Sequence, residues 1–343
     1  MSPPNAVATP SAAPRRIDWP ALATVLTIHL LAATAFSPWL FSWWGVALAI
    51  AGCYVFGTLG INLGYHRLLT HRSFRCAAWL EHLLAVLGVC CLEKTPGHFV
   101  ATHRAHHQHS DREEDPHSPL GSLFWGHVGW VFVENPSLNS AAAYEKYARD
   151  VLRDPFYLGL ERNLRWVWVY AAHAALFLIA GFGAGWLVSG SAQEALRLGL
   201  SVLVWGVFVR TVLVWHITWS VNSIAHTWGY RNYDTRENSR NNFLVGLISN
   251  GEGWHNNHHA DQRAAAHGHR WWEIDVTYAS IRLLRACGLV WDIVPVTAVR
   301  EAAAAPLHHL QPRSEPPRKK AAAPHAASHR APELTPRQES KHP

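Results

Sequence analysis

Four long apolar stretches divide the chain, and polar segments separate them into two pairs. The first pair covers about residues 21–36 and 39–61, and the second pair covers 166–188 and 198–219. Because a membrane-spanning helix needs about 20 consecutive apolar residues, these stretches predict four transmembrane helices arranged as two hairpins. Buried helices of a soluble protein are a poor alternative for four stretches of this length. The expected fold class is therefore an all-α integral membrane protein.

The distribution of lysine and arginine predicts the topology. The short connections at 37–38 and 189–195 contain neither residue type, whereas segment 62–163 contains ten. Since positively charged loops remain on the cytoplasmic side of a membrane, we expect both termini to lie in the cytosol. Segments 62–163 and 220–300 then form a cytosolic helical cap. A bacterial inner membrane is the expected location.

The two ends of the chain differ in composition from its middle. Residues 1–16 are rich in Ala, Pro and Ser, and residues 301–343 are rich in Ala, Pro, His and Lys. Such segments bury too little apolar surface to fold, so we expect two disordered tails around one membrane domain at 17–300. Half of the formal net charge of +6 belongs to the C-terminal tail. The basic balance therefore does not indicate nucleic-acid binding.

Histidine is unusually frequent, with 24 copies, and four clusters of it fall on the expected cytosolic side. They comprise His66 and His71; His103, His106 and His107; Asn222 and His226; and His255, His258 and His259. Helical residues three and four apart share a face, so each HxxHH triplet converges on one side. His66 and His71 are about 140° apart around an ideal helix. They converge only if the helix ends there or if two metals are approached from different angles.

The number of histidines predicts a dimetal centre. Nine imidazoles exceed the roughly four ligands of one zinc ion, so two ions with four or five nitrogens each fit better. Imidazole binds iron, zinc, copper and nickel, and the ligands alone leave the metal open. The membrane setting favours redox-active iron, since lipid chains offer C–H bonds rather than hydrolysable ones. A histidine-rich surface without stoichiometric metal is the alternative.

The histidine motifs resemble those of membrane fatty acyl desaturases, closest to the bacterial and cyanobacterial delta-9 type. The resemblance spans about 17–295 and is carried by GYHRLLTHRSF, by HRAHHQHSDREEDPHSP, by NSIAHTWGYRNY and by GEGWHNNHHA. It implies four spans below a cytosolic cap that holds two iron ions. It also implies an O2-dependent reaction that introduces a cis double bond, with delta-9 expected, into a saturated acyl chain. In this family the nine histidines named above bind iron, and the residue matching Asn222 holds a metal-bound water.

The same resemblance suggests partners and alternatives. The acyl chain arrives on coenzyme A, on a carrier protein or within a glycerolipid, and the sequence does not choose between them. Because no HPGG string of a fused cytochrome b5 is present, a separate ferredoxin or cytochrome b5-like protein is the expected electron donor. A membrane di-iron hydroxylase shares the histidine boxes, although NSIAH and GEGWHNNHH favour desaturation. A metal transporter normally places its ligands near the bilayer midplane, which these clusters do not match.

Four residues are candidates for the wall of an acyl tunnel. Ile50 and Tyr54 precede His66 on the second span and are expected at the tunnel floor, whereas Trp215 and Trp219 approach the cytosolic end of the fourth span. Tryptophan at a membrane interface is the commoner explanation for the latter two.

Several polar residues also invite a role. Arg210 lies inside the fourth span, where a charge normally faces the protein interior. Asp111, Asp115 and Glu252 could accept the free N–H of a ligating imidazole, or Asp115 could simply cap a turn. Glu93 and His98 occupy a stretch where similar sequences usually carry small and aromatic residues.

Overall fold

The computed structural model describes residues 16–297, and its regular secondary structure is helical apart from two short strands. Within residues 16–297, four helices are long and apolar enough to cross a membrane: Trp19–Phe36, Trp43–Thr70, Arg165–Ser189 and Ala192–His226. The prediction of an all-α protein with two transmembrane hairpins is therefore confirmed. The predicted disordered tails lie outside the described residues, apart from Arg16.

The helices and strands follow one another in a simple order. The α-helices are α1 (Trp19–Ala33), α2 (Trp43–Gly52), α3 (Ala78–Val89), α4 (Pro96–His109), α5 (Leu123–His127), α6 (Ala141–Tyr147), α7 (Arg149–Leu152), α8 (Pro155–Leu160), α9 (Arg165–Ser189), α10 (Ala192–Leu203), α11 (Arg210–Ser223), α12 (Phe243–Ile248), α13 (His255–Ala260) and α14 (Val276–Ala286). Two π-helices, Cys53–Thr70 and Val204–Val209, continue α2 and α10, and 3-10 turns occupy Thr34–Phe36, Gly129–Phe132 and Ile224–His226. Strands β1 (Arg75–Cys76) and β2 (Val290–Trp291) pair antiparallel and join the two halves of the cap.

The second span differs most from its prediction at 39–61. It begins later, at Trp43, because Ser42 accepts the backbone N–H of Gly45 and caps the helix. It also continues nine residues further, through polar residues that the protein itself buries, such as His66 and Arg67. His66 therefore lies within this helix rather than after it.

The fourth span also exceeds its predicted limits of 198–219. Its helix begins at Ala192. The low hydropathy of Glu194 and Arg197 placed the predicted start too late, but these two residues are helical and form a surface ion pair of 2.8 Å. At its other end the helix tightens into a 3-10 turn that ends at His226. The first and third spans differ from their predictions by one or two residues.

Helix α3 is too short to span a bilayer and packs against the second span. The two backbones approach so closely that a Cβ atom on Gly60 would collide with the amide nitrogen of Gly88. The C-terminal end of α3 is tied to α11, because Arg210 donates to the carbonyl of Cys90 at 2.7 Å and Trp215 donates to that of Cys91 at 2.8 Å. Arg210 faces the protein interior as predicted, where its charge meets the negative end of the α3 dipole.

Candidate metal centre

The π-helix Cys53–Thr70 brings the first two histidines together. In a π-helix the backbone bond joins residues i and i+5, and here the N–H of His71 donates to the carbonyl of His66 at 3.1 Å. Residues five apart consequently lie nearly above one another, and the two imidazole centres are 4.7 Å apart. The 140° separation expected for an α-helix does not arise, because the backbone winds more loosely at this point.

Short elements of the cap deliver the other histidines. Helix α4 begins at Pro96, where the side chain of Thr95 accepts the N–H of His98, and it carries the HRAHH residues. Helix α13 carries the HNNHH residues, and the 3-10 turn that ends the fourth span carries His226. Nine predicted ligands thus reach one buried region from four separate segments.

The nine histidines form two groups, and in each group the candidate ligand atoms lie within 4.8 Å of one another. The five-histidine group contains His66, His71, His103, His107 and His258, and the four-histidine group contains His106, His226, His255 and His259. This division agrees with the expectation of two ions with four or five nitrogens each. Each HxxHH motif contributes to both groups: its first and last histidines belong to one group, and its middle histidine belongs to the other.

The donor atoms suit metal ions. The Nε2 atoms of His258 and His107 are 3.0 Å apart, and those of His255 and His226 are also 3.0 Å apart. His226 uses its Nδ1–H for a carboxylate, so its Nε2 carries a lone pair that points into the group. Among the residues that the structure describes, the buried Nε2 atom of His71 has no hydrogen-bond partner, which is rare for a buried polar atom. One cation in each group would satisfy these nitrogens.

Burial favours the neutral form of the ligands. Loss of solvent, reinforced by neighbouring imidazoles, lowers the pKa of six ring groups well below the usual range: His71, His103, His107, His255, His258 and His259. A histidine must be unprotonated to bind a metal. These rings are therefore ready to coordinate at neutral pH.

Carboxylates orient three of the rings, as the sequence suggested. Asp115 lies 3.0 Å from Nδ1 of His106, Asp111 lies 3.2 Å from Nδ1 of His226, and Glu252 lies 2.6 Å from Nδ1 of His66. Such contacts fix the tautomer and the direction of a ligating imidazole.

Several residues of this surrounding layer were missed, among them Arg67, Asp275 and Glu237. Arg67 donates to Glu252 at 2.8 Å and to Asp275 at 2.9 Å, and Glu237 lies 3.7 Å from Nδ1 of His259. Burial alone would raise the pKa of Glu252, but Arg67 and the adjacent imidazoles hold it well below its usual range. Arg67 directly follows His66 and could have been noticed, whereas Glu237 lies in an irregular loop that carries no pattern.

A cavity of about 1700 Å³ leads to the histidines, and His66, His103, Asn222 and His255 contribute to its lining. Trp215 and Trp219 also line it, where the sequence placed them. The structure places Ile50 and Tyr54, the predicted tunnel floor, outside the described lining of this cavity.

The reason is the direction in which two side chains of the second span point. Ile50 is 65% exposed on the outer surface of the helix. Tyr54 turns toward α14, where its hydroxyl lies 2.9 Å from that of Ser280. Neither residue contributes to the described cavity lining.

Glu93 belongs to the cavity wall. The hydroxyl of Thr218 donates to its carboxyl group at 3.0 Å, and Thr218 is one helical turn from Asn222 on α11. Leu92 and Lys94 on either side have positive φ angles of 56° and 67°, a conformation that costs energy for residues with a side chain. Burial raises the pKa of Glu93 to about 8, so this carboxyl group is neutral at pH 7.

Comparison with known families agrees with this geometry. The family model described as fatty acid desaturase matches residues 41–282. The chain belongs to the fatty acid desaturase family. Among its relatives, the sn-1 stearoyl-lipid 9-desaturase of Anabaena variabilis is 40% identical over 278 residues, which cover 81% of this chain and 94% of the relative. The sn-2 palmitoyl-lipid 9-desaturase of Nostoc sp. (strain 36) is 41% identical over 259 residues, covering 75% and 84%. Like these desaturases, the chain is an oxidoreductase of lipid metabolism.

Proposed function

We propose that this desaturase introduces a cis double bond at the delta-9 position of a saturated acyl chain, using O2 and two iron ions. The observation that carries the proposal is the meeting of two imidazole groups, of five and four rings, at a cavity large enough for a long chain. Ligand sites usually enclose about 300–1,000 Å³, and this cavity of about 1700 Å³ is larger. The names of the relatives support the delta-9 position.

The nine histidines would hold the irons, and Asn222 would hold a water beside the four-histidine group. Bound iron would supply the redox chemistry with O2 that removes hydrogen from two adjacent CH2 groups. The protein's own part is binding and orientation. Trp215 and Trp219 present apolar surface to the acyl chain and exclude water, while Asp111, Asp115 and Glu252 keep the imidazoles pointed at the centre.

We infer that the acyl chain is part of a glycerolipid. Coenzyme A and the phosphopantetheine of carrier proteins are anionic and would require an excess of basic residues at the cavity. The described lining offers no such excess once the acids bound to imidazoles and the neutral Glu93 are set aside: Arg16, Lys94, Arg112 and Arg236 are balanced by Asp18, Glu113, Glu114 and Glu134. Two relatives are named as lipid desaturases, which agrees with this reading.

The orientation and the electron supply complete the proposal. The cap faces the cytosol, because the connections on the opposite side lack lysine and arginine. A soluble ferredoxin or a cytochrome b5-like protein then delivers the two electrons to the cap.

The test is expression in a host that lacks unsaturated fatty acids, followed by gas chromatography–mass spectrometry with double-bond localisation. A delta-9 cis-monoene that is absent from cells expressing His103→Ala is the expected result. An alcohol instead of an alkene would reassign the protein as a hydroxylase. Purified protein supplied with donor and either a stearoyl glycerolipid or stearoyl-coenzyme A then tests the carrier, and conversion of the thioester alone would contradict the glycerolipid assignment.

A further inference from the structure

The two histidine groups differ in the negative charge that surrounds them. In the four-histidine group, three of the four rings have a carboxylate within 4 Å of Nδ1 among residues 16–297: Asp115 at 3.0 Å from His106, Asp111 at 3.2 Å from His226, and Glu237 at 3.7 Å from His259. Within the same described residues, the five-histidine group has one ring with such a neighbour, Glu252 at 2.6 Å from His66. The two groups are therefore chemically unequal.

The two groups also differ in whether a basic side chain neutralises the nearby carboxylates. Glu252 accepts two hydrogen bonds from the buried guanidinium of Arg67, at 3.1 and 2.8 Å. Within the described chain, the three acids of the other group make no ion pair with lysine or arginine. Their partners are neutral donors, such as the N–H of Asn238 at 2.6 Å from Asp111 and the N–H of His117 at 3.1 Å from Asp115. Their negative charge is left to act on the imidazoles.

A carboxylate that accepts an imidazole N–H makes the ring a more basic ligand, and uncompensated charge acts strongly in a buried site. Both effects stabilise the ion of higher charge. We propose that the four-histidine group holds the iron that is oxidised first, so that the ferric ion of the half-oxidised centre lies there and the ferrous ion lies in the five-histidine group. This inference rests on the proposed di-iron function. Each step removes one electron, which an added oxidant accepts, and no bond is broken.

The experiment uses full-length protein enriched with 57Fe. The protein is reduced with dithionite under argon and titrated with ferricyanide at controlled potential, with Mössbauer and electron paramagnetic resonance spectra recorded at each step. Two one-electron steps are expected. Asp115→Asn keeps an oxygen that can accept the N–H of His106 but removes the charge, so the first oxidation should become about tenfold less favourable, which is 59 mV for one electron.

Two further variants make the result specific. Glu237→Gln should shift the same first step in the same direction, and since Glu237 makes no hydrogen bond to a ring, its loss leaves the imidazoles oriented. Glu252→Gln is the matched control at the other group, and it should shift the second step while leaving the first within error.

Each other outcome overturns the assignment. A first step that moves with Glu252→Gln but not with Asp115→Asn or Glu237→Gln reverses it. Equal shifts of both steps in all three variants show that the charges act on the pair as a whole. These results leave the proposed function intact, because two irons are bound in each case. A wild-type protein without iron by metal analysis overturns the proposed function itself, and this inference with it.

Discussion

Glu93 places a titratable side chain in the lining of the proposed acyl cavity. The carboxyl group accepts a hydrogen bond from Thr218 and lines the cavity that we propose for the acyl chain. Burial raises its pKa to about 8, so the group is neutral below pH 8 and becomes charged as the pH rises through that value. A carboxylate beside an apolar chain is unfavourable. The raised pKa therefore links substrate binding to pH.

We expect the wild-type KM for the acyl lipid to rise as the pH increases from 7 to 9. Glu93→Gln keeps an oxygen that accepts from Thr218 but cannot ionise, so its KM should stay constant over the same range. Initial rates with saturating donor at each pH measure this. Glu134→Gln, which removes an exposed acid of the same cavity, is the control and should follow the wild type. A KM that rises equally in Glu93→Gln would assign the pH effect to another group.

The residues of the centre show what spacing can and cannot predict. The i, i+3, i+4 pattern was enough to predict that His103, His106 and His107 converge, since that relation is local to one helix. Which ring joins which group depends on how α4 packs against α13. Glu237 escaped notice for the same reason, because it reaches His259 only through the tertiary fold.

At the scale of elements, the π-helix Cys53–Thr70 and α3 pack directly against each other through their backbones. Their contact at Gly60 and Gly88 leaves no room for a methyl group, and six residues later the same helix carries His66. Gly60→Ala must push the two backbones apart, and overpacking of this kind costs about 1–3 kcal/mol. We expect a lower thermal midpoint in detergent together with reduced iron content.

Gly183→Ala is the matched control for this prediction. Gly183 lies in α9, and a Cβ atom there would meet nothing within 4 Å. Since alanine is favoured over glycine inside a helix by roughly 0.5–1 kcal/mol, this variant should be as stable as the wild type or slightly more so. If Gly183→Ala lowers the thermal midpoint and the iron content as much as Gly60→Ala does, the close contact between Gly60 and Gly88 is not the cause of the loss.

Hydropathy located all four spanning helices but misjudged their ends. It measures affinity for lipid, whereas the ends of the second and fourth spans rise into the cap, where protein surrounds them. Residues such as Asn62 and His66 are polar yet remain helical, because they find partners in the cap, as Asn62 does in the carbonyl of Ser249. No pattern in the sequence marked the change to π-helical winding.

At the scale of the whole molecule, the tunnel floor shows the limit of reasoning along one helix. Ile50 and Tyr54 precede His66 at the expected distance, but the sequence does not say which side of the span faces the cavity. The structure turns Ile50 outward. The direction of a side chain depends on the neighbours of its helix, which here are α14 and the fourth span.

The topology can be tested with single cysteines. Cys287 is exposed on the cap, whereas Cys90 and Cys91 are buried, and Gln193 is exposed at the start of α10 on the opposite side of the membrane domain. If the cap faces the cytosol, a membrane-impermeant maleimide added to intact spheroplasts should label Gln193→Cys in a Cys287→Ser background. The native Cys287 should react only after lysis.

The Cys287→Ser variant without a new cysteine measures the background from the half-buried thiols of Cys53 and Cys76. Labelling of Cys287 in intact spheroplasts, with Gln193→Cys protected, would place the cap outside the cytosol. A cytosolic electron donor could then not reach it, because about 30 Å of hydrocarbon would separate the two. The labelling pattern therefore tests the electron supply as well as the orientation, since both depend on which side of the membrane the cap occupies.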